Sequence, residues 1–192
     1  MSSKSGPRAA GTDGTDFLHR QRVAAHYQES ANNKFILKFL YAAHFLILIF
    51  MWAKVGSEVL RREAGIELPL FQRLDLPSAY PWEYIYCFSF SAIIYGLLSF
   101  PRNRVMMIKY SYYAQFFTAV LPCVIGMFSQ LPELFDYFQQ GESSKTPTFK
   151  GSFPMVIIWY IFFIVSMQVH VFAMHFSNQL FNAWSPVAKK NE

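Results

Sequence analysis

The sequence predicts an all-α integral membrane protein with four transmembrane helices and both termini in the cytosol. Of its 192 residues, 53% are hydrophobic and only 15% are charged, whereas about 25% are charged in an average soluble domain. Aromatic residues make up 19% of the chain, more than the core of a small soluble domain can bury. The third observation is that the apolar residues are gathered into runs of bilayer length.

Four apolar runs are each long enough to cross the hydrocarbon core, which takes about 20 residues of helix. They cover residues 35–53, 82–100, 105–128 and 153–176. Barrel strands would be about 10 residues long and would alternate in polarity, which these runs do not. The helices of a soluble bundle would show polar faces with a period of 3.6 residues, and these runs show almost none. The predicted organisation is therefore a cytosolic segment (1–34), a four-span domain (35–176) and a cytosolic tail (177–192).

Several local features lie around the runs. A helix is predicted to begin near Asp16, ahead of the first run, and a short surface helix is predicted over residues 57–64. Pro122 should kink the third helix or mark where its last turns unwind. Residues 139–152 contain Gly, Ser, Thr and Pro and are predicted to form a flexible loop.

Counts of lysine and arginine set the expected orientation. With four spans, both termini and the loop between the second and third runs share one side, and that side has ten basic and four acidic residues. The opposite side has six basic and seven acidic residues. Both termini should therefore face the cytosol. The net charge of +5 follows from this asymmetry, and a nucleic-acid partner is not implied.

Polar residues deep inside the runs are few. His44 and Gln115 lie at similar depth, counted at about 1.5 Å per residue from the cytosolic ends, so a hydrogen bond between them is a hypothesis. The competing interpretation is a neutral histidine that is satisfied by its neighbours and only packs. The other deep polar residues are Gln168 and His170.

No residue pattern indicates catalysis. The chain has neither a Gly-rich phosphate loop nor a nucleophile elbow. His170 and His175 are five residues apart, which does not place both on one helical face as a helical zinc site requires. We therefore expect no enzymatic activity, no cofactor and no metal site.

Two lysines near the C-terminus predict the location of the protein. Lys189 and Lys190 stand at the fourth and third positions from the end of the sequence. This is the dilysine pattern by which the retrograde vesicle coat captures membrane proteins of the early secretory pathway, and it is an address read by a receptor. The expected location is the endoplasmic reticulum membrane, with the vesicle coat as a partner.

Basic and aromatic residues of the cytosolic segments form candidate docking elements for a secretory-pathway protein or an anionic leaflet. A solvated basic collar that only sets the orientation explains them equally well. The candidates are Arg8, Phe17, Arg20, Arg22, Arg102 and Arg104.

Two stretches carry a specific resemblance to a known family. Residues 6–17 (GPRAAGTDGTDF) and 99–103 (SFPRN) closely resemble the Jagunal family, as do WEY at 82–84 and QVH at 168–170. The matches run from near the N-terminus to the tail. The resemblance implies a four-span endoplasmic reticulum protein involved in reticulum organisation and vesicular traffic in secretory cells, without a known enzymatic activity.

Two functional hypotheses remain. The first is a non-enzymatic membrane protein that cycles with the transport machinery and recruits it through its cytosolic basic elements. The second is a small-molecule or lipid transporter with a site among the spans, around His44, Gln115 and Gln168.

Overall fold

The computed structural model describes residues 15–74, 76–151 and 153–185, and most of these residues are helical. The described helices are α1 (Thr15–Ala64), α2 (Pro69–Gln72), α3 (Pro81–Cys87), α4 (Phe90–Ser99), α5 (Val105–Gln115), α6 (Leu121–Ser129), α7 (Leu131–Gln140) and α8 (Met155–Trp184). Within the described part of the chain, the helices long and apolar enough to cross a membrane are Val23–Ala64, Val105–Gln140 and Met155–Trp184. The all-α class of the prediction is confirmed, and three of its four spans correspond to such helices.

Helix α1 combines three predicted elements. The helix expected near Asp16, the first apolar run and the helix expected over residues 57–64 form a single element of 50 residues. At about 1.5 Å per residue this helix is about 75 Å long, more than twice the thickness of the hydrocarbon core. It ends where Gly65 takes a φ of 63°, a left-handed conformation that glycine adopts without steric cost.

The second apolar run does not form one continuous helix. It is divided into α3, of 7 residues, and α4, of 10 residues. At the junction, Phe88 and Ser89 keep right-handed backbone angles, and their N–H groups donate to the carbonyls of Ile85 and Tyr86 at 3.0 and 2.9 Å. Bonds with this three-residue spacing tighten the chain locally. The run therefore consists of two short helices joined by a tight turn, and neither helix alone has the length of a span.

The third run contains a wide turn. A π-helical turn (Phe116–Val120) joins α5 to α6, directly before Pro122. Proline has no N–H to donate to the preceding turn, and the wide turn accommodates this within an otherwise continuous helical path. The interruption expected at Pro122 is thus a π turn, after which α6 continues to Ser129.

The fourth run forms α8, which continues to Trp184, eight residues beyond the predicted end. Pro154 precedes this helix and lies in a two-residue strand (β2, Phe153–Pro154) that pairs antiparallel with β1 (Thr148–Phe149). The region predicted as a flexible loop therefore contains a short hairpin and a 3₁₀ turn (Gly141–Ser143).

The four apolar segments pack side by side, and the chain direction alternates from one segment to the next. Lys54 of α1 lies over the ring of Trp159 near the start of α8, and Ser30 of α1 contacts Trp184 at the end of α8. Segment 81–99 is antiparallel to the α5–α6 segment. Ser111 of α5 donates to the Ala92 carbonyl of α4 at 2.7 Å, and Trp82 at the start of α3 lies next to Gly126 near the end of α6.

Two apolar clusters fill the bundle, one in each half. The first cluster lies in the half of the bundle that contains α3. Its buried residues are Leu48, Met51, Val55, Trp82, Tyr86, Ala119, Cys123, Met155, Trp159 and Phe163. The other half has Leu37, Tyr41, Ile93, Phe100, Ile108, Ala173 and Leu180 buried. Between the two clusters, at the middle of each segment, lie polar side chains.

Candidate functional site

The break between α3 and α4 is held by two side chains of α1. His44 Nε2 and Ser89 Oγ form a hydrogen bond of 2.9 Å, and the Trp52 indole N–H donates to the Cys87 carbonyl at 3.0 Å. In a regular helix that carbonyl would bond the Ser91 N–H, which donates to Phe88 at 3.1 Å instead. Because a backbone carbonyl that is left without a donor away from water costs about 1–3 kcal/mol, the bond from Trp52 stabilises the break.

His170 of α8 is the centre of the buried polar layer. Gln115 donates from Nε2 to His170 Nδ1 at 2.6 Å, so the proton of the neutral ring lies on Nε2. That nitrogen is 2.9 Å from the Tyr86 hydroxyl. The rings of His170 and His44 meet edge to face, with centroids 4.5 Å apart. The polar layer, defined as His44, Tyr86, Ser89, Gln115, Ser166 and His170, therefore joins all four apolar segments.

A second, smaller hydrogen-bonded group lies beside this layer. Tyr41 Oη and Ser111 Oγ are 2.7 Å apart, and Ser111 also donates to the Ala92 carbonyl. These bonds connect α1, α5 and α4. Interhelical hydrogen bonds of this kind contribute to helix association where the hydrophobic effect does not act between helices.

The polar layer is closed to the outside. His44, Ser89, Ser166 and His170 are each 0% exposed, and Gln115 is 2% exposed. The apolar cluster on each side of the layer separates it from the ends of the bundle.

The chemistry of the layer is that of a neutral network. Its members carry no formal charge at neutral pH, because the layer contains only His, Tyr, Ser and Gln. Within the layer, the buried side-chain atoms without a hydrogen-bond partner among the described residues are His44 Nδ1, Gln115 Oε1 and Ser166 Oγ. Within the described residues, no group of three His, Cys, Asp or Glu side chains could hold a metal ion.

His44 and Gln115 were predicted to meet inside the membrane, and the structure connects them through an intermediary. His44 bonds Ser89, Gln115 bonds His170, and the two histidine rings are in contact. Gln168, which the transporter hypothesis included, is exposed on the outer face of α8.

A buried ion pair lies at the opposite end from the chain termini. The Lys54 ammonium donates to both carboxylate oxygens of Glu83, at 2.6 and 2.8 Å, and lies 4.9 Å from the centroid of the Trp159 ring. The Glu83 side chain is 0% exposed and that of Lys54 is 9% exposed. Sequence reasoning missed this pair. The sequence carried one signal for it: Glu83 lies at the start of the second run and Lys54 directly after the end of the first, so the two charges are expected at equal depth.

The end of the bundle near the chain termini is basic. Arg102 and Arg104 are exposed in the turn between α4 and α5, and Lys34 of α1 holds this turn by donating to Asn103 Oδ1 at 2.6 Å. Arg20 is also exposed, but it lies 14 residues, or about 21 Å of helix, before Lys34. The structure thus brings Arg102 and Arg104 together and places Arg20 further along α1.

The C-terminal end of α8 packs against the same part of α1. Trp184 donates from its indole nitrogen to Ser30 Oγ at 2.9 Å, and the Lys34 ammonium lies 5.2 Å from the Trp184 ring centroid. His26 Nε2 donates to the Ala183 carbonyl at 3.0 Å.

The remaining predicted site residues cannot be placed. Arg8, Lys189 and Lys190 lie outside the described residues, and so do the side chains of Phe17 and Arg22.

Three long apolar helices, a buried network of neutral polar side chains and exposed charge at the ends define an α-helical integral membrane protein. A family model described as "Jagunal, ER re-organisation during oogenesis" matches residues 1–188. The chain belongs to the Jagunal family, whose description concerns reorganisation of the endoplasmic reticulum.

Curated relatives agree with this assignment. The chain is 59% identical over 189 residues to "Protein jagunal homolog" of Caenorhabditis elegans, covering 98% of this chain and all of that protein. It is 34% identical to "Protein jagunal homolog 1" of Homo sapiens, over 96% of this chain and 94% of the relative. It is also 34% identical to "Protein jagunal" of Drosophila melanogaster, over 96% of this chain and 95% of that protein.

Proposed function

We propose that the chain crosses the endoplasmic reticulum membrane four times, with both termini in the cytosol. The observation that supports a crossing by segment 81–99 is its antiparallel packing along α5 and α6 from one end of the bundle to the other. Trp82 lies close enough to Gly126 that a methyl group there would be 2.9 Å from its ring. Ser111 bonds Ala92 near the middle of the bundle.

The distribution of charge supports the orientation. The end with Arg102, Arg104 and Lys34 presents basic side chains to the outside, which the cytosolic side of a membrane protein favours. At the other end, Arg61 and Arg62 are balanced by ion pairs with Glu58 and Glu63.

A pair of cysteine variants tests the number of spans. In a chain whose native cysteines are replaced, Ile66→Cys and Asn103→Cys report on the two ends of segment 81–99. We expect a membrane-impermeant maleimide to label Asn103→Cys in intact microsomes and Ile66→Cys only after permeabilisation. Labelling of both from the same side would mean that the segment does not cross and would overturn the four-span arrangement.

We further propose that the protein is a non-enzymatic component of reticulum organisation and vesicle-mediated transport that cycles by its dilysine signal. The family description supports a role in the reticulum. The contacts of Trp184 with Ser30 and Lys34 fix the point at which the tail leaves the bundle. Lys189 is five residues beyond Trp184, so an extended chain could carry it about 17 Å further, within reach of a coat protein at the cytosolic surface.

Substitution of both tail lysines tests this proposal. Lys189→Ser/Lys190→Ser should shift the protein out of the reticulum and abolish labelling of coat subunits by a proximity enzyme fused to the cytosolic N-terminus. Lys145→Ser/Lys150→Ser, which removes the same charge from the loop on the opposite side, is the matched control and should change neither readout. If location and coat labelling survive the loss of Lys189 and Lys190, the dilysine mechanism is wrong.

The transporter hypothesis has one observation in its favour. Broken helices next to polar groups near the middle of a bundle are typical of transporter binding sites, and Ser89 lies at such a break beside His44. Closure of the polar layer by apolar clusters on both sides supports packing instead. In a chain without native cysteines, we expect Ser89→Cys to stay unreactive towards a membrane-impermeant thiosulfonate, whereas a transport pathway would make it reactive.

A further inference from the structure

A cleft opens between α5 and α8 at the basic end of the bundle. Its volume is about 300 Å³, which lies at the lower end of the range of small-ligand sites. The lining residues are Lys109, Tyr112, Tyr113, Ser177, Asn178 and Phe181.

In the proposed four-span arrangement, the cleft would lie at the level of the lipid headgroups. Lys109 is four residues into α5, and Phe181 is three residues before the end of α8. At about 1.5 Å per residue, both lie within about 6 Å of the end of their helix. Tyr113, which is 47% exposed, extends the cleft deeper along the outer surface, where acyl chains would lie.

The chemistry of the lining suits a phosphate group. Lys109 supplies a positive charge, Tyr112, Tyr113 and Ser177 carry hydroxyl groups, and Asn178 carries an amide N–H₂. The lining contains neither Asp nor Glu, and among the described residues no carboxylate forms an ion pair with Lys109. The ammonium lies 6.0 Å from the Tyr113 ring centroid, and Ser177 is only 2% exposed. The cleft is therefore a basic recess with a polar floor.

We propose that this cleft binds the phosphate-bearing headgroup of an anionic phospholipid, with the acyl chains lying against the aromatic side chains on the membrane side. Basic pockets between transmembrane helices on the cytoplasmic side are typical sites for such headgroups. The site goes beyond the retrieval function, and it rests on the proposed topology, in which the basic end of the bundle faces the cytosol. Loss of the dilysine signal would leave it intact.

The full chain in a neutral detergent is the material for the test. Its melting temperature is followed during titration with short-chain phosphatidylinositol 4-phosphate, and separately with short-chain phosphatidylcholine and with inositol 1,4-bisphosphate, which has no acyl chains. We expect a saturable increase with the anionic lipid, and little change with phosphatidylcholine or with the headgroup alone.

Two variants and one control locate the site. Lys109→Gln should weaken apparent binding about fivefold, the factor expected for one lysine near an anionic surface, and Asn178→Leu should weaken it by a similar factor. Lys38→Gln removes an exposed charge from the same end of the bundle but outside the cleft, and it should bind as the unmodified chain does. The melting temperatures of all variants without lipid show whether each is folded.

Three results would overturn the proposal. Equal weakening by Lys109→Gln and Lys38→Gln would mean that the lipid responds to general surface charge. Equal binding of inositol bisphosphate and the lipid would mean a site for soluble phosphates. Equal effects of phosphatidylcholine and the anionic lipid would mean that the headgroup charge is not recognised.

Discussion

The buried pair of Lys54 and Glu83 makes a sharp prediction about stability. Glu83→Leu leaves the Lys54 ammonium in a position that is 9% exposed, with the ring of Trp159 as its nearest favourable neighbour. Removing one partner of a buried ion pair is expected to cost about 3–5 kcal/mol. The cation–π contact with Trp159 is present before and after the substitution, so it does not change this difference, and because Lys54 remains 9% exposed we expect a loss at the lower end of the range, about 3 kcal/mol.

The double substitution separates the pair from its surroundings. Lys54→Met/Glu83→Leu replaces both charges by apolar side chains of similar length, a change that is often neutral or stabilising in a buried position. We therefore expect the double variant to recover most of the stability that Glu83→Leu loses. In a chain of this size about 1 kcal/mol shifts the melting temperature by about 2–4 °C, so Glu83→Leu should melt about 6–12 °C below the unmodified chain.

The chain provides its own probe for this measurement. Cys123 is buried and Cys87 is half-buried, so a thiol-reactive fluorophore reports unfolding in detergent as these thiols become accessible. Arg62→Met removes one partner of an ion pair in which both side chains are 65% exposed, and it should leave the melting temperature unchanged. If the double variant melts as far below the unmodified chain as Glu83→Leu does, or further, Lys54 and Glu83 are not coupled and the reasoning is wrong.

Three further predictions use the same unfolding assay. Trp52→Phe should cost about 1–3 kcal/mol, because the Cys87 carbonyl at the helix break loses its donor; an unchanged melting temperature would show that the break does not need it. Gly126→Ala should cost about 1–3 kcal/mol, because the added methyl group would lie 2.8 Å from a buried aromatic ring. The control is Gly56→Ala, where the methyl group has open space, and it should be neutral or stabilising by up to about 1 kcal/mol. Equal effects of the two substitutions would contradict the close packing at Gly126. His170→Leu leaves a buried hydroxyl and a buried amide without their shared partner and should cost about 2–5 kcal/mol, while a neutral result would mean that the polar layer contributes nothing to stability.

The positions of the apolar segments could be predicted from sequence because burial in lipid demands a continuous run of apolar residues. The break at Ser89 could not be predicted in the same way. The stretch around it has neither Gly nor Pro, the residues that usually mark a helix interruption. The break depends on His44 and Trp52 of another helix, and such contacts between distant residues leave no periodic pattern in one sequence.

The polar layer shows a similar limit. Depth counting assigns His44 and Gln115 to one level, since helical rise is constant, and the structure has both side chains in the polar layer. Depth counting could not indicate which way each side chain faces around its helix axis. That direction places His170 between His44 and Gln115, whereas Gln168, two residues earlier, faces outward. The same uncertainty in rotation hid the pairing of Lys54 with Glu83.

The arrangement of polar groups bears on where function resides in this fold. Among the described residues, the polar layer contains only His, Tyr, Ser and Gln side chains, and it is buried between two apolar clusters. The basic end differs, because Arg102 and Arg104 are exposed there, a cleft containing Lys109 opens beside them, and Trp184 fixes the start of the tail. A protein that acted by transport would need its polar groups accessible in the centre, whereas one that recruits cytosolic machinery needs them at one surface. The distribution in this chain is the one that the recruitment role proposed above requires, and the buried polar contacts join the four segments to one another.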